Sequence, residues 1–409
     1  MTAGSRGDVA PFTGLGAALV RAGYDVTLVT HAMFDSLTDG SGVRFHALPV
    51  DPRAESHSAR GQALHRSSSG AGKLLRVAGL AKAVAGELTD GLLKAAEDSD
   101  VLVVAGSLTP LGATLAEGLG LPSLGAHLQP VHPTRVFAPP MTGSRSLGPL
   151  GNRAAGRAVD AAIAYIFTDA VRDLRARLGL PPRTLAAARR DRERAHWPVL
   201  HGFSPTIVPR PHDWRPGLDV VGYWWPHETG RLPAYVEEFL DAGAPPVFVG
   251  LGSATVPHPE RLSGQVVRAL RAAGLRGVIQ RGWAGLDASG DDLLTVDDVP
   301  HGLLFPRMAA VVHHAGAGTT AAGLRAGVPA VPVPIQFDEA FWASRLVALG
   351  AAPRTLPLRS LTGGALAAAL VRATGDPGYR ARARALADRL AAEDAVGPVD
   401  AAIRRVTAG

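Results

Sequence analysis

The chain has 409 residues and a formal net charge of +6, with 46% apolar and 19% charged residues. This composition is typical of soluble globular proteins, and the length predicts two domains of roughly 200 residues each. The absence of cysteine excludes disulfides, thiolate nucleophiles and cysteine-based zinc sites. Arginines alternate with acids along helical stretches, as on solvated helix faces, so the positive charge does not predict nucleic-acid binding.

Apolar runs in the sequence fall well short of the roughly 20 residues that a bilayer span needs. The N-terminus lacks a cationic start followed by an apolar run and a small-residue cleavage site, so we expect no signal peptide. The sequence therefore predicts a cytoplasmic protein.

Strand-like and helix-like runs alternate along the first half of the chain. Runs rich in β-branched residues predict strands at 24–31 and 100–107, and a short strand is predicted at 122–128. Helical patterns occupy 11–23 and 110–120. Alternation of this kind predicts parallel sheets that are covered by helices on both faces.

A Pro-, Trp- and Gly-rich stretch separates this half from a second alternating region and predicts an ordered connector. Strand-like runs resume at 245–253, 276–282, 292–300, 309–316 and 327–335. The predicted fold is therefore α/β, with two doubly wound Rossmann-like domains that face each other across a cleft. The predicted bounds are an N-terminal domain over 1–204, a connector over 205–230, a C-terminal domain over 231–385 and a helical tail over 386–409. Ligands in such folds bind beyond the carboxyl ends of the strands.

The most informative segment begins at the end of the 309–316 run. His314 is followed by small residues and then by Thr319 and Thr320, which open a predicted helix. Small residues let backbone N–H groups approach a ligand, and a helix N-terminus favours an anion. A diphosphate is the natural ligand, although such a turn can also serve only to pack a helix on a strand. His313 and His314 point to opposite faces of the strand, so they cannot chelate one metal ion.

Asp338 and Glu339 follow the next predicted strand, where their side chains can face the same cleft as His314. Adjacent acids at a helix start are usually a charge pair that complements the helix dipole. After a phosphate-binding turn, the alternative is that they accept hydrogen bonds from the hydroxyls of a sugar.

The ordered set of motifs resembles that of the family 1 nucleotide-sugar glycosyltransferases with the GT-B fold, in particular the bacterial glycopeptide-antibiotic and sterol-type branch. The resemblance covers nearly the whole chain and is carried by GSRGDVAP, HGFSPTIVPRPHDW, VFVGLGS, RGWAGL, DDVPHGLLFPRM, VVHHAGAGTTAAGLRAGVPAV and FDEAFWASRLVALGA. It implies inverting transfer of a hexose from a UDP-sugar, UDP-glucose first, to a hydroxyl of a hydrophobic natural-product or sterol-like aglycone, without a metal ion or other cofactor. The alternatives are a transferase for a dTDP-deoxysugar and a non-catalytic auxiliary partner of another transferase.

The resemblance also implies roles for individual residues. Ser253 is similar to the family's phosphate-contacting Ser or Thr, and Trp283 and the backbone of Val299 match the region around the nucleobase and ribose. Asp338 and Glu339 match the family's Asp-Gln pair that holds the sugar. The implied diphosphate site consists of His314, Gly316, Gly318, Thr319 and Thr320.

Two residues depart from the family pattern in this domain. Ala315 replaces a glycine, and its methyl group should be tolerated unless the backbone there needs a positive φ. Glu339 replaces the usual glutamine, which removes an amide donor, adds a charge and puts glucose in doubt as the donor sugar.

Asp8 lies where many relatives carry the histidine of an H-x-x-P pattern, and Pro11 keeps that spacing. The resemblance makes Asp8 the candidate general base, which would take the proton of the acceptor hydroxyl and contribute about 10²–10⁴-fold to the rate. The alternative is that Asp8 is the N-cap of the following helix, with Pro11 in the first turn. A cap could also aim the carboxylate.

Only Met1, Thr2 and Ala3 precede the first Gly-rich turn, where members of the family have an apolar central strand. We hypothesise that the true product begins a few residues upstream of Met1. The alternative is a short chain whose neighbouring strand edges are unpaired.

Loops 50–73 and 127–152 correspond to the family's acceptor pocket. The first is polar and rich in Gly and Ser, so we expect it to be mobile. The second contains proline and apolar residues that could either wall an acceptor or pack on the core, namely Phe137, Met141, Leu147 and Leu150. We expect satisfied structural histidines at His127 and His132, although both could line the cleft.

Overall fold

A computed structural model describes residues 1–50 and 86–408 of the chain. The predicted acceptor loop over 50–73 therefore lies, apart from Val50, outside the described residues. The described part contains three parallel sheets flanked by helices, which confirms the predicted α/β class and the two Rossmann-like halves.

The N-terminal half contributes six of the described strands, which pair in parallel as two ladders. Their bounds are Thr27–His31 (β1), Arg44–Leu48 (β2), Leu102–Ala105 (β3), Ser123–His127 (β4), Val199–His201 (β5) and Leu218–Val220 (β6). One ladder has the order β1-β2 and the other has the order β3-β4-β5-β6. Helices cover these strands over Arg6–Arg21 (α1), 86–96 (α2), Thr109–Leu119 (α3), Gly148–Arg177 (α4) and Leu185–Arg194 (α5).

The first three residues of the chain run between β1 and β3 and join the two ladders. The amine of Met1 donates to the carbonyl of Val103 at 2.9 Å, and the amide of Ala105 donates to the carbonyl of Met1 at 2.9 Å. On the other side, the amide of Thr2 donates to the carbonyl of Val29 at 3.0 Å. These bonds follow the parallel pattern, so this short segment occupies the position expected for the central strand. The hypothesis of an upstream start stays a prediction.

The C-terminal half contributes one five-stranded parallel sheet of the order β11-β10-β7-β8-β9. Its strands are Val247–Gly250 (β7), Gly277–Gln280 (β8), Leu293–Val296 (β9), Ala310–His313 (β10) and Ala330–Pro332 (β11). The chain crosses from one side of β7 to the other between β9 and β10, so the strand order reverses between β7 and β10. Ligands in open α/β sheets bind at such a switch point, outside the carboxyl ends of the strands.

Eight helices among the described residues complete this half and the C-terminus. Their bounds are Ala234–Asp241 (α6), Pro259–Ala272 (α7), His301–Leu304 (α8), Ala317–Arg325 (α9), Glu339–Ala348 (α10), Gly363–Gly375 (α11), Pro377–Ala391 (α12) and Gly397–Thr407 (α13). Within the described residues, no helix has both the length and the apolarity needed to cross a membrane.

Two of the predicted domain bounds are corrected by the structure. β6 falls inside the predicted connector over 205–230, yet it extends the N-terminal sheet by pairing with β5. The predicted tail over 386–409 is not a separate unit, because α12 spans its start and α13 packs Val399 and Ile403 into the core of the N-terminal half. A three-residue strand is too short to show an alternating pattern, and helical periodicity does not specify which domain a helix packs against.

Candidate active site

Loops from three strands of the C-terminal sheet converge on one edge, because parallel strands end on the same side. Ser253 follows β7, Trp283 follows β8 and His314 follows β10. The amide of Trp283 donates to the carbonyl of Gly252 at 3.0 Å, which joins the first two loops beside Ser253. A β-carbon on Gly252 would lie 2.8 Å from Cε1 of His314. The structure therefore brings together these three residues of the predicted donor site.

The imidazole of His314 lies in a slot between two glycine backbones. A β-carbon on Gly316 would lie 2.4 Å from Nε2 of His314, and the Gly252 side of the slot is nearly as close. Burial lowers the pKa of His314 to about 4, so the ring is neutral at neutral pH. Its Nδ1 atom is buried and has no hydrogen-bond partner within the part of the chain that the structure describes. A neutral imidazole has one N–H donor, which His314 can offer to a ligand oxygen.

The turn after β10 leads directly into α9, with Gly316 as the N-cap. Gly316 has no side chain, so the first-turn amides of α9 are not capped by one and remain available to an anion. Gly318 is exposed and Thr319 is half-buried, whereas Thr320 is fully buried with its hydroxyl unpartnered. The predicted diphosphate residues thus form a helix N-terminus with additional polar groups.

Ala315 adopts the backbone conformation in which a methyl group is costly. Its φ is +68° and it is fully buried, while its amide donates to Nδ1 of His313 at 3.1 Å. A non-glycine residue in the left-handed region costs about 1–2 kcal/mol. The sequence predicts that the methyl group of Ala315 is tolerated unless φ is positive. Since φ is positive, the backbone is strained at this turn.

The N-terminus of α1 lies against the N-terminus of α9. A β-carbon on Gly318 would lie 3.9 Å from the Cα atom of Gly7. Arg6 forms an ion pair with Asp298, in the loop after β9, and this pair also bridges the two halves. Because Asp8 is in the first turn of α1, this contact brings the start of α1 that carries Asp8 close to the turn that follows β10.

Asp8 is held by a reciprocal capping interaction at the start of α1. The N-cap is Ser5, and Oδ2 of Asp8 accepts hydrogen bonds from the amide and the hydroxyl of Ser5 at 2.9 and 3.0 Å. The alternative of Asp8 as the N-cap is therefore wrong, and Pro11 lies inside the helix rather than in its first turn. The sequence signal was the spacing of Ser5 and Asp8, which resembles a capping box with Asp in place of Glu or Gln.

Two groups that the sequence did not single out also act on the Asp8 carboxylate. Burial raises the pKa of Asp8, and the hydrogen bonds from Ser5 and Gln129 and the nearby His31 oppose that rise. His31 is itself fixed, because it donates from Nδ1 to the carbonyl of Val50 at 2.7 Å and accepts at Nε2 from the amide of Gly4 at 3.0 Å. Gln129 reaches Asp8 from the loop after β4, a long-range contact that has no sequence signal.

Asp338 lies at the start of α10, at the same edge of the C-terminal sheet as the His314 turn. Its Oδ2 atom accepts from the indole N–H of Trp342 at 2.8 Å. Burial raises the pKa of Asp338, and the charge of Asp8 raises it further. The second effect requires the two carboxylates to be near each other, so the predicted base and a predicted sugar-binding acid belong to one region of the structure.

Glu339 is oriented differently from its neighbour. It is 6% exposed, and its Oε2 atom accepts from the amides of Ile335 and Gln336 at 2.5 and 2.8 Å. Burial raises the pKa of Glu339 to about 7. Oε2 therefore holds the turn before α10, and only Oε1 is left to contact a sugar.

Val299 is 2% exposed and packs in the core of the C-terminal half. Its side chain is therefore unavailable to a ligand, and the predicted contact at this position is limited to the backbone. The adjacent Asp298 is the partner of Arg6, so this loop contacts the N-terminal half, and the predicted role of the Val299 backbone stays a prediction.

The loop over 127–152 reaches across to the C-terminal half. Phe137 packs against Phe341 of α10, with ring centroids 5.3 Å apart, which brings this loop beside the segment that carries Asp338. Met141, Leu147 and Leu150 are 43%, 57% and 74% exposed. Of the apolar residues considered for an acceptor wall, Phe137 packs within the protein and the other three remain accessible.

Two family models match this chain. One describes a glycosyltransferase family 28 N-terminal domain and matches residues 1–138, and the other describes an erythromycin biosynthesis protein CIII-like C-terminal domain and matches residues 280–404. The chain is also 35% identical over 407 residues to the O-mycaminosyltylonolide 6-deoxyallosyltransferase of Streptomyces fradiae, covering 97% of this chain and 94% of that protein. The chain belongs to the GT-B family 1 glycosyltransferases.

A second relative of this glycosyltransferase is the sterol 3-beta-glucosyltransferase UGT80A2 of Arabidopsis thaliana, which is 34% identical over 369 residues. The match covers 87% of the chain but 57% of the plant protein, so the chain spans little more than half of that relative. Among solved structures, the spinosyn forosaminyltransferase SpnP matches with a TM-score of 0.70 at 16% identity and full coverage of both chains. The glycosyltransferase VinC in complex with DTDP matches with a TM-score of 0.67 at 20% identity, over 100% of this chain and 98% of that one. These similarities confirm the GT-B fold.

Proposed function

We propose that this glycosyltransferase transfers a hexosyl group, with inversion, from a nucleoside-diphosphate sugar to a hydroxyl of a hydrophobic natural-product or sterol-like acceptor. UDP-glucose is the first candidate donor. The observation that carries the proposal is the contact between the first turns of α1 and α9, which brings the helix start that carries Asp8 close to the turn that contains His314.

The donor's diphosphate would lie at the N-terminus of α9. The uncapped first-turn amides and the helix dipole favour a dianion there, and His314 and Ser253 add donors at the adjoining strand ends. The N-terminus of α1 approaches the same place from the other domain, with Gly7 opposite Gly318. Both helix ends therefore act on one anion, without a cation being needed to hold it.

In the transfer step, the acceptor oxygen forms a bond to the anomeric carbon while its proton passes to the Asp8 carboxylate. The bond between the anomeric carbon and the diphosphate oxygen breaks, and its electron pair leaves with the nucleoside diphosphate. A single displacement inverts the anomeric centre. The charge that develops on the leaving group is stabilised by the α9 amides and His314, and burial favours proton uptake because it raises the pKa of Asp8.

The acceptor site would lie beside the loop over 127–152. Exposed Met141, Leu147 and Leu150 supply apolar surface there, and the contact of Phe137 with Phe341 connects this loop to the sugar side of the cleft. The names of the two curated relatives, one for a sterol and one for O-mycaminosyltylonolide, support an acceptor of this class.

A dTDP-deoxysugar is the second candidate donor, and Glu339 is the observation that favours it. Oε2 of Glu339 is already used by two backbone amides, so only its other oxygen can contact a sugar, and a carboxyl group lacks the two N–H donors of an amide. The side chain can therefore satisfy fewer sugar hydroxyls than the family's glutamine, as suits a sugar that has fewer of them.

The test is a donor assay with UDP-glucose, UDP-N-acetylglucosamine and dTDP-deoxysugars against a panel of sterol, macrolide and phenolic acceptors. UDP or dTDP at about 100 times its Kd should stabilise the fold by about 2.7 kcal/mol. A stabilising nucleotide without turnover on any acceptor would favour the auxiliary-protein alternative, and no stabilisation by any nucleoside diphosphate would contradict the donor site. Added Mg²⁺ should not raise kcat if the transfer needs no metal ion.

A further inference from the structure

Three histidines of the N-terminal half form a cluster that the proposed transfer does not use. His127 ends β4, His201 ends β5, and the parallel register places these two residues side by side. His132 comes from the loop that follows β4. One ring nitrogen from each histidine lies within 4.8 Å of the other two, so the three side chains converge on one small volume.

Each of the three rings has one buried nitrogen without a hydrogen-bond partner among the described residues. These atoms are Nδ1 of His127, Nδ1 of His132 and Nε2 of His201. His127 and His201 are 4% and 0% exposed. Buried polar atoms in folded proteins are normally paired, so three unpaired nitrogens at one place need an explanation. The expectation that His127 and His132 are satisfied structural histidines is wrong for these atoms.

In two of the histidines, the second ring nitrogen has a hydrogen-bond partner. Nδ1 of His201 donates to the carbonyl of Asp219 at 3.0 Å, which leaves a lone pair on Nε2. Nε2 of His127 lies 3.2 Å from the hydroxyl of Thr109, and that hydroxyl donates to the carbonyl of Ala105 at 3.4 Å. When the hydroxyl donates to Ala105 it accepts from Nε2 of His127, and that tautomer leaves the lone pair on Nδ1. Metal-binding histidines are oriented in this way by an outer hydrogen bond.

We propose that His127, His132 and His201 bind one divalent transition-metal ion, with Zn²⁺ as the ion that fits best. Imidazole nitrogen suits such ions, and three protein ligands with a water molecule as the fourth form a common tetrahedral zinc site. With Zn–N bonds of about 2.0–2.1 Å, the ligand nitrogens would be about 3.3 Å apart. The widest spacing in the cluster therefore closes by less than about 1.5 Å, which side-chain rotation can supply.

The charges around the cluster are mixed. Burial lowers the pKa of all three histidines, so they are neutral, as metal ligands must be. The positive charges of nearby arginines disfavour the binding of a cation, but three of these arginines interact with other groups. Arg189 is paired with Asp160, and Arg210 and Arg215 donate to backbone carbonyls. Arg192 also acts on His127, and its Cζ atom lies 5.9 Å from the centroid of the Trp197 ring.

A metal ion here would connect the ends of β4 and β5 to the loop over 127–152. Trp214 holds the same loop, because its indole N–H donates to the carbonyl of His132 at 3.3 Å and its ring stacks on His201. Gln129, which hydrogen-bonds to Asp8, lies between two of the proposed ligands. The ion would be structural, and it would keep the acceptor-side loop and Gln129 in place.

The experiment uses the full chain without a histidine tag, since a tag would itself bind the metal. The protein is stripped with EDTA, incubated with excess ZnSO₄ and desalted, and its zinc content is measured by mass spectrometry. We expect one zinc per wild-type chain and a zinc-dependent rise in Tm. His132→Ala should lose both, with at least a tenfold lower zinc content, and His258→Ala, which removes an exposed histidine of the C-terminal half, should retain both.

Retention of donor-induced stabilisation by His132→Ala would show that the variant is folded, and His132→Gln serves as a second variant of closer volume. Substitution with Co²⁺ should give the intense visible bands of a four-coordinate site in the wild type and not in either His132 variant. The proposal is overturned if the wild type retains no zinc, or if the His132 variants bind as much as the wild type. Both outcomes are independent of whether the chain transfers a sugar.

Discussion

Gly7 and Gly318 are in contact, with 3.9 Å between the Cα atom of the first and the position of a β-carbon on the second. They belong to the first turns of α1 and α9, so two helix N-termini from different domains meet at one point. A diphosphate bound there, as proposed, would be stabilised by the partial positive charges of both helix ends.

Substitutions in the α9 turn should separate the role of the His314 slot from that of the helix end. Gly316→Ala should lower kcat/KM by about 10²-fold, because its methyl would displace His314 and small displacements in an active site can have effects of that size. Gly318→Ala is the matched control, since its β-carbon makes an ordinary contact at 3.9 Å. Both variants are compared with the wild type by steady-state kinetics and by nucleotide-induced thermal shifts. Equal effects of the two substitutions would contradict a specific role for the slot that holds His314.

Asp8→Asn should lower kcat by about 10²–10⁴-fold while leaving the fold and the nucleotide-induced stabilisation intact. The amide oxygen of Asn can still accept from Ser5, so the start of α1 is preserved, but it cannot take up the acceptor's proton. In the wild type, kcat should fall as the pH drops through the raised pKa of Asp8, because only the ionised carboxylate is a base. Unchanged turnover in the variant would remove Asp8 from the mechanism.

Gln129→Ala tests whether the hydrogen bond to Asp8 positions the base. Loss of that bond should lower kcat by a smaller factor than Asp8→Asn and should raise the pH at which activity is lost, since the bond lowers the pKa of Asp8. The readout is the pH–rate profile. A proportional loss of activity at every pH, with the midpoint unmoved, would point to a purely structural effect.

Glu339→Gln should change how stability depends on pH. Burial raises the pKa of Glu339 from its ordinary 4.5 to about 7, so its contribution is fully present below pH 4.5 and is lost as the pH rises to about 7. At about 1.4 kcal/mol per pH unit, the loss is at most about 3 kcal/mol. The variant should be more stable than the wild type at pH 8 and should lack this slope in urea unfolding. The same variant should shift donor preference towards UDP-glucose.

Ala315→Gly should change the free energy of unfolding by less than about 1 kcal/mol. Relief of the left-handed conformation gains about 1–2 kcal/mol, the lost methyl burial costs about 0.8 kcal/mol, and the more flexible unfolded chain costs about 0.4–1 kcal/mol. Ala315→Val is the contrasting variant, since a β-branched side chain at φ +68° in a filled core should destabilise the fold by more than about 2 kcal/mol. Equal free energies of unfolding for the two variants would contradict the inference that the backbone at residue 315 is strained.

Sequence reasoning was most successful where a local pattern determines a local structure. The runs of β-branched residues became the strands β7 to β11, and the small residues after His314 became the N-terminus of α9. It failed where the partner is distant in the chain. The short strand β6, the return of α13 to the first domain and the contact between Gln129 and Asp8 all depend on packing between segments far apart in sequence.

The sequence by itself determined the α/β class, the two Rossmann-like halves and the residues of the His314 turn, because strand and helix periodicity and small-residue turns are properties of neighbouring residues. Only the tertiary structure decided that Asp8 is aimed by Ser5 and Gln129, that Glu339 turns inward, and that the side chains of three histidines converge. Burial and side-chain direction arise from the packing of distant segments, and no local pattern contains that information.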